Sequence, residues 1–210
     1  MKPDPAQEPP QKQVLILVAA AVEPEARLDV ADALEARAWV CHALEEAGWT
    51  AETWDITPNL LASTERVFGH LEKTGAACVF NLFEGFGTDS GAEHRFRALL
   101  EQAGTLCTGN PAAVLETCLS KEAVSSLLRE NGIPVPEGKS ILPGGSLFLL
   151  DDLSLPLFLK PLREDGSVGI DGDSLVTDRK DLARRAADKL RFFPEGVRAE
   201  EFLPGKEYSV

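Results

Sequence analysis

The stretch FLKPLREDGSVGI, residues 158–170, decides how the second half of this chain is interpreted. It begins as an apolar strand, carries Lys160 near the strand's end, and then changes to charged residues and glycines. An Asp-Gly pair between two β-prone segments is a strong signal for an ordinary hairpin. The alternative is a flexible flap that binds phosphate through its amides, the Ser167 hydroxyl and the charges of Lys160 and Arg163.

The common phosphate-binding loops do not fit this stretch. In the P-loop and in the dinucleotide fingerprint, a glycine-rich loop leads from a strand into a helix, whose N-terminus binds the phosphates. Here the loop leads to another short β-prone segment, SLVT (174–177), and a helical pattern starts only near Asp178. A phosphate site at this loop would therefore be a hairpin flap of a different fold.

The first half of the chain predicts a parallel sheet flanked by helices. Four apolar or β-prone segments, QVLILVAA (13–20), TAETWDI (50–56), AACVFNL (76–82) and TLCT (105–108), alternate with helical patterns over 24–47, 58–74 and 92–103. Short connections and β-α-β alternation are typical of this architecture. Residues 1–12 are polar and proline-rich, which predicts a disordered leader before a domain over 13–115.

The second half, residues 116–210, reads as an α+β domain. Two helical patterns, over 110–119 and 120–132, precede short β segments at 139–143, 156–161 and 174–177, and a helix over 178–193. The tail VRAEEFLPGKEYSV (197–210) predicts a strand, a tight turn at Pro204-Gly205 and a second strand that runs to the last residue.

Composition narrows the classes of partner. Of 210 residues, 34 are Asp or Glu and 21 are Lys or Arg, a formal net charge of −13, which argues against nucleic acid or an anionic membrane as the main partner. No apolar run is long enough to span a bilayer. The cysteines, at 41, 78, 107 and 118, lack metal-ligand spacing and are interpreted as buried, reduced thiols of a cytoplasmic protein. The sequence predicts no metal site.

Two further signals carry chemistry only in combination with the loop. Lys121 lies at a predicted helix start, where the helix dipole opposes a cation, although an exposed lysine is the simpler explanation. Glu200 and Glu201 precede an apolar Phe-Leu turn, with Glu207 beyond it, and taken alone they fit a solvated edge strand.

The order of these pieces resembles the D-alanine–D-alanine ligases and related members of the ATP-grasp superfamily. The residues that carry the resemblance are NLFEG (81–85), TGNPAAVLETCLSK (108–121), GIPVP (132–136), FLKPLREDGSVGI (158–170) and EEFLPGKEYSV (200–210). It implies an α/β fold, in which an N-terminal parallel-sheet, Rossmann-like pre-ATP-grasp domain precedes an incomplete α+β ATP-grasp domain. It also implies an ATP-dependent ligase that joins a carboxylate to an amine through an acyl phosphate.

The resemblance assigns roles to individual residues. Lys121, Lys160 and Arg163 match phosphate-binding positions, and Gly166 and Ser167 belong to the flap, with Ser167 also a catalytic candidate. Glu200 and Glu201, with the backbone of Phe202 and Leu203, would meet the adenine, and Glu207 the ribose. Magnesium should accompany ATP, but its ligands and the family's catalytic arginine are expected beyond Val210.

Departures from the family pattern leave the substrate open. The glycines and serines that help to bind D-alanine are missing from AAAVEPEARLDV (19–30), where Glu25 is the remaining candidate. Glu84 replaces a histidine and is predicted to be a catalytic-site carboxylate for an amino group; the alternative is a cap for the following helix. The expected partners are ATP and a small amino acid or peptide, with a homodimer possible. The alternative function is a non-catalytic module that binds nucleotide weakly, or a protein partner.

Overall fold

The computed structural model describes residues 14–22, 28–87, 89–206 and 208 of the chain. The predicted leader and the candidate Glu25 lie outside the described residues. The chain divides into two compact units, Met1–Leu115 and Glu116–Val210.

The first unit is built on a four-stranded parallel sheet. Its strands are β1 (Leu15–Ala21), β2 (Thr50–Ile56), β3 (Cys78–Asn81) and β4 (Leu106–Cys107), in the order β2-β1-β3-β4. The central strand β1 is buried along Leu17–Ala20, as its continuous apolar run predicts. Its helices are α1 (Leu28–Glu46), α2 (Pro58–Leu61), α3 (Thr64–Thr74) and α4 (Ala92–Gln102). The prediction of a parallel sheet with flanking helices is confirmed.

The single helix predicted over 58–74 is wrong, because two caps divide it. The Thr57 hydroxyl accepts a hydrogen bond from the Leu60 amide at 3.1 Å and starts α2. The Ser63 hydroxyl accepts one from the Arg66 amide at 3.3 Å and starts α3. Both hydroxyls satisfy amides of a first helical turn, so each marks a separate N-terminus.

Helices α5 (Ala112–Leu119) and α6 (Lys121–Glu130) follow β4, and the boundary between the units falls within α5. The second unit contains an antiparallel sheet of β5 (Gly138–Ile141), β6 (Leu157–Pro161), β7 (Leu175–Val176) and β8 (Val197–Glu201). The strand order is β5-β8-β6-β7, so β8 lies between β5 and β6. A 3-10 helix (Leu147–Leu150) and helix α7 (Arg179–Phe192) complete the unit. The predicted α/β fold class, with an α+β second half, is confirmed.

Side-chain alternation separates a core face of this sheet from a polar face. Leu157 and Leu159 of β6 are fully buried in the core, together with Val197 and Ala199 of β8. The intervening positions of both strands point to the opposite face, because successive strand residues alternate. That face carries the candidate site described below.

Two other expectations need correction. None of the four cysteines is fully buried: three are half-buried and Cys118 is exposed. The second tail strand is not formed at Gly205, Lys206 or Tyr208, and its other residues, Glu207, Ser209 and Val210, lie outside the described part.

Within the described residues, no helix is both long and apolar enough to cross a bilayer.

Candidate nucleotide site

A cavity of about 920 Å³ lies within the second unit, over the polar face of its sheet. Three lysines and four carboxylates surround it, together with an apolar wall and the loop between β6 and β7. The lining residues are Cys118, Lys121, Pro136, Phe158, Lys160, Pro161, Glu164, Asp165, Gly166, Ser167, Val168, Ile170, Glu200, Glu201, Phe202, Leu203, Gly205 and Lys206.

Lys121 is the first residue of α6 and is tied to the β6–β7 loop. Its backbone N–H donates to the Leu162 carbonyl at 3.1 Å, and its ammonium donates to the Glu164 carbonyl. Burial lowers the pKa of Lys121, and the nearby positive charge of Lys160 lowers it further. Two like charges held close together in a half-buried cavity would be relieved by an anion, which is the electrostatic requirement of a phosphate site.

Lys160 projects from β6 and is paired with β8. Its ammonium donates to Oε1 of Glu200, and the lysine and glutamate side chains are 24% and 12% exposed. The second carboxylate oxygen of Glu200, Oε2, accepts from Nε of Arg198 at 3.0 Å. Glu200 is therefore held between two cations, and its orientation is fixed from both sides.

The β6–β7 loop forms two successive tight turns over the cavity. The Val168 amide donates to the Asp165 carbonyl at 2.9 Å, and the Ile170 amide donates to the Ser167 carbonyl at 3.1 Å. Gly166 has φ 52° and Ser167 has φ 63°, the pair of positive values found in hairpin turns of the type I′ class. Ser167 is the non-glycine residue that the turn holds in the left-handed region, and it lines the cavity.

The far end of the loop is anchored. Lys189 of α7 is 6% exposed and donates to the Gly169 carbonyl at 2.6 Å and to Oδ1 of Asp171 at 3.2 Å. The Gly169 backbone also packs so tightly against Phe193 that a Cβ there would lie 2.6 Å from the ring atom Cε2. Any flap motion is therefore restricted to the part of the loop before Gly169. That the loop is a mobile flap stays a prediction.

Phe158, Phe202 and Leu203 form the apolar wall of the cavity. The rings of Phe158 and Phe202 lie 6.2 Å apart between centroids, with their planes 32° apart. Leu203 is 65% exposed beside them. The Phe202 amide donates to the Pro156 carbonyl at 2.9 Å, and the Leu203 carbonyl accepts from the Gly205 amide at 2.9 Å. These bonds fix the chain at the edge where a flat aromatic base would be expected to bind.

Most of the predicted site residues meet in this cavity. Those that line it are Lys121, Lys160, Gly166, Ser167, Glu200, Glu201, Phe202 and Leu203. Arg163 does not line it, because its guanidinium turns toward Glu195, with 3.5 Å between Nε and Oε1. Glu207 lies outside the described residues.

Glu84 belongs to the first unit, where it is exposed in the loop that follows β3. The N-cap residue of α4 is Gly91. Both predicted roles of Glu84, the catalytic-site carboxylate and the cap for this helix, stay predictions.

Sequence reasoning missed part of the lining. Phe158 could have been found, because it lies two residues before Lys160 on a strand and therefore shares its face. Cys118 carries no such signal, since nothing in the α5 sequence relates it to the sheet. The acidic residues Glu164 and Asp165 are visible in the quoted stretch; Asp165 belongs to the Asp-Gly turn signal and adds an acidic group to the predicted flap, whereas Glu164 gives no signal of its own.

The lining fits a nucleotide better than it fits a metal ion held by protein alone. Among the described residues, no group of three or more His, Cys, Asp or Glu side chains is arranged to hold a metal ion. The lysines and the loop amides suit phosphates, and the Phe158–Phe202 wall suits a base.

Comparison with known proteins shows which proteins this chain is similar to. No protein-family model matches the chain. A D-alanine–D-alanine ligase of Chromohalobacter salexigens is 32% identical over 123 residues, which cover 57% of this chain and 37% of that protein. The crystal structure of D-alanine–D-alanine ligase from Bacillus anthracis complexed with ATP superposes with a TM-score of 0.69 at 18% identity, covering 91% of this chain and 60% of the other. The ligase relatives and the structural neighbours support a D-alanine–D-alanine ligase-related protein of the ATP-grasp superfamily.

The ATP-grasp fold is shared with enzymes outside the D-alanine–D-alanine ligases. The biotin carboxylase domain of 2-oxoglutarate carboxylase from Hydrogenobacter thermophilus, solved with MgADP and bicarbonate, matches with a TM-score of 0.65 at 19% identity. It covers 90% of this chain and 44% of that one. This ATP-grasp chain spans about half the length of the relatives it matches.

Proposed function

We propose that the cavity of the second unit binds ATP, and that the protein uses it as a carboxylate–amine ligase of the D-alanine–D-alanine ligase type. The observation that carries the proposal is the pairing of Lys121 and Lys160 in one cavity with the apolar wall of Phe158 and Phe202. A triphosphate and a base require these two environments side by side. The ligase relatives support the reaction class.

The proposed reaction has two steps. A carboxylate oxygen of the first substrate attacks the γ-phosphorus of ATP, ADP leaves, and an acyl phosphate forms. The nitrogen of the amine then attacks the acyl carbon, a proton leaves that nitrogen, and inorganic phosphate departs as the amide bond forms. Phosphoryl transfer depends mainly on positioning and on neutralising the charge of the oxygens, so the protein needs no covalent group.

The described residues would supply positioning and charge. Lys121 and Lys160 would neutralise phosphate oxygens, and the Ser167 hydroxyl, with amides of its turn, would donate to them. Glu200 and the backbone at Phe202 and Leu203 would meet the edge of the base. Magnesium would accompany ATP; among the described residues, no group of three or more His, Cys, Asp or Glu side chains is arranged to hold it.

The substrates that fit are amino acids or small peptides. Glu84 follows β3 at the carboxyl edge of the parallel sheet, where open α/β sheets bind ligands. A carboxylate there suits a substrate's ammonium group, in contrast to the histidine of the resembling ligases. D-alanine itself is not assigned.

The reactivity of Cys118 can be used to measure nucleotide binding in the cavity. Cys118 is exposed and lines the cavity, whereas Cys41 lies on α1 of the first unit and is half-buried. We expect ATP with Mg²⁺ to slow alkylation of Cys118 by N-ethylmaleimide, followed by mass spectrometry, and to leave the rate at Cys41 unchanged. Equal rates at Cys118 with and without saturating ATP would refute the nucleotide site.

A second arm separates the ligase from the non-catalytic module. In the full-length protein, release of ADP and phosphate should rise when a mixture of amino acids is added, and an amide product should appear. If ATP protects Cys118 but no amino acid or dipeptide stimulates turnover, the chain acts as a nucleotide-binding module.

A further inference from the structure

The largest fully buried side chain of the described residues belongs to Arg198, which is 1% exposed. It lies on β8, the strand between β5 and β6, opposite Ser140 on one side and Lys160 on the other. A guanidinium taken out of water costs several kcal/mol unless charged partners surround it. A buried arginine beneath the proposed nucleotide site therefore requires charged partners.

Arg198 is bound by two carboxylates from different elements. Its Nη1 lies 2.6 Å from Oε2 of Glu122, the second residue of α6, and its Nε lies 3.0 Å from Oε2 of Glu200. The Ser140 hydroxyl also donates to Glu122. Since Glu200 in turn holds Lys160, the charges alternate along one path: Glu122, Arg198, Glu200, Lys160.

The backbone is shaped to leave room for this group. At Gly138 of β5, an added Cβ would lie 2.8 Å from Cβ of Glu200 and 2.9 Å from Nη2 of Arg198. A side chain at Gly138 would therefore collide with the Glu200 side chain, with the Arg198 guanidinium and, at 2.9 Å, with the Ala199 carbonyl oxygen. Gly138, which pairs with Glu200 across the strands, has no side chain, and the Arg198–Glu200 pair occupies the space that a side chain would take.

Arg198 also balances the charge of the cavity. The lining contains Lys121, Lys160 and Lys206 against Glu164, Asp165, Glu200 and Glu201, three positive charges against four negative. Arg198 does not line the cavity but bonds to Glu200 from below, so it offsets a carboxylate charge that would otherwise fall fully on Lys160.

We propose that Arg198 is a positioning residue for the two cavity lysines. Arg198 orients Glu200, which is the partner of Lys160, and it shares the negative charge of Glu200 with Lys160. Through Glu122 it fixes the first turn of α6, where Lys121 lies. The consequence for nucleotide binding rests on the proposed function. The guanidinium bonds both carboxylates at once, whereas a lysine at this position has one ammonium and could keep the charge beside Glu200 but not both bonds.

The test measures the reactivity of Lys160 without any nucleotide. Acetic anhydride modifies neutral amines, and mass spectrometry gives the rate at each lysine. In Arg198→Met, Glu200 keeps Lys160 as its one remaining cationic partner and binds its ammonium more firmly, so acetylation should slow about threefold or more. In Glu200→Gln it should speed up by a similar factor, and the double variant should return toward the rate of the unmodified chain.

Arg179→Met is the matched control. It removes a guanidinium of the same unit that donates to the Leu150 and Leu153 carbonyls and does not line the cavity. Its Lys160 rate should stay within twofold of that of the unmodified chain. A purely structural role for Arg198 predicts the opposite sign, because a loosened sheet exposes Lys160 and speeds its acetylation. Faster or unchanged acetylation in folded Arg198→Met therefore overturns the proposal.

Two further arms keep the test decisive. If Arg198→Met does not fold, Arg198→Lys keeps a charge beside Glu200 and should leave the Lys160 rate near normal, and an unchanged rate in Glu200→Gln would then overturn the proposal. For ATP, Arg198→Met should weaken binding about tenfold and Arg198→Met/Glu200→Gln should recover part of it. Additive losses in the double variant would contradict shared action. If the unmodified chain binds no ATP, the proposed function fails, while the acetylation rates still decide the role of Arg198.

Discussion

Replacing Lys160 with methionine removes a cavity charge while keeping a long unbranched side chain. A charge-assisted hydrogen bond contributes about 1.5–3 kcal/mol, and two unit charges 4 Å apart interact by about 4 kcal/mol at the dielectric of a protein surface. Because Glu200 already takes part of the charge and the side chain is 24% exposed, the lower end applies. We expect the Kd for ATP with Mg²⁺ to rise roughly tenfold to thirtyfold, or about 1.5–2 kcal/mol.

The fold should tolerate this change, since Glu200 keeps its bond to Arg198 at 3.0 Å. Isothermal titration calorimetry at low ionic strength measures the affinity. The matched control is Lys139→Met, which removes a lysine of the same sheet that pairs with Asp152 at 2.8 Å and does not line the cavity. If both variants bind ATP equally well, or lose affinity equally, the reasoning about Lys160 is refuted.

Three other predictions concern Gly169 of the β6–β7 loop, His70 of α3, and Glu84 after β3. Gly169→Ala should destabilise the second unit by about 1–3 kcal/mol in thermal melts, because its φ is 72° and its Cβ would press on Phe193, whereas Gly172→Ala, with open space around it, should change little. Burial, with the nearby Lys73, lowers the pKa of His70, so the unfolded chain takes up the proton first and stability should fall as the pH drops below about 6.5. Melts at pH 7.5 and 5.5 should show a smaller drop in His70→Phe, and an equal drop would exclude His70 as the cause. In a full-length form, Glu84→Gln should impair use of the amino substrate in steady-state kinetics and spare ATP binding; loss of both, or of neither, would count against its assignment.

The anchored end of the β6–β7 loop limits how the site can close. Lys189 and Phe193 hold Gly169, so closure over phosphates would move the turn at Gly166 and Ser167 and leave the end of the loop in place. Proteolysis without nucleotide should therefore cut before Gly169, and ATP should protect that segment, as expected for a lid that closes on its ligand.

The sequence by itself determined most of the elements and their types. The continuous apolar run of β1 could satisfy its side chains only with both faces covered, which predicts the central strand of a parallel sheet. The alternation in FLKPL fixed which residues of β6 face the core and which face the cavity, because the strand period is two. It did not mark the break at residues 62–63, because the spacing of apolar residues continues across the two caps.

Only the tertiary structure decided which distant side chains meet. Inserting β8 between β5 and β6 brings Arg198 beside Ser140 and Lys160, and α6 adds Glu122, yet no sequence period relates these four positions. In the sequence, Arg198 reads as one more polar residue of an alternating strand, and Arg163 reads as a phosphate ligand. Arg163 instead turns to Glu195, because a loop side chain follows the nearest available charge and no backbone period fixes its direction. Charge pairing across elements depends on three-dimensional distance. In this sheet the strand order sets that distance, and the local sequence pattern does not predict the strand order.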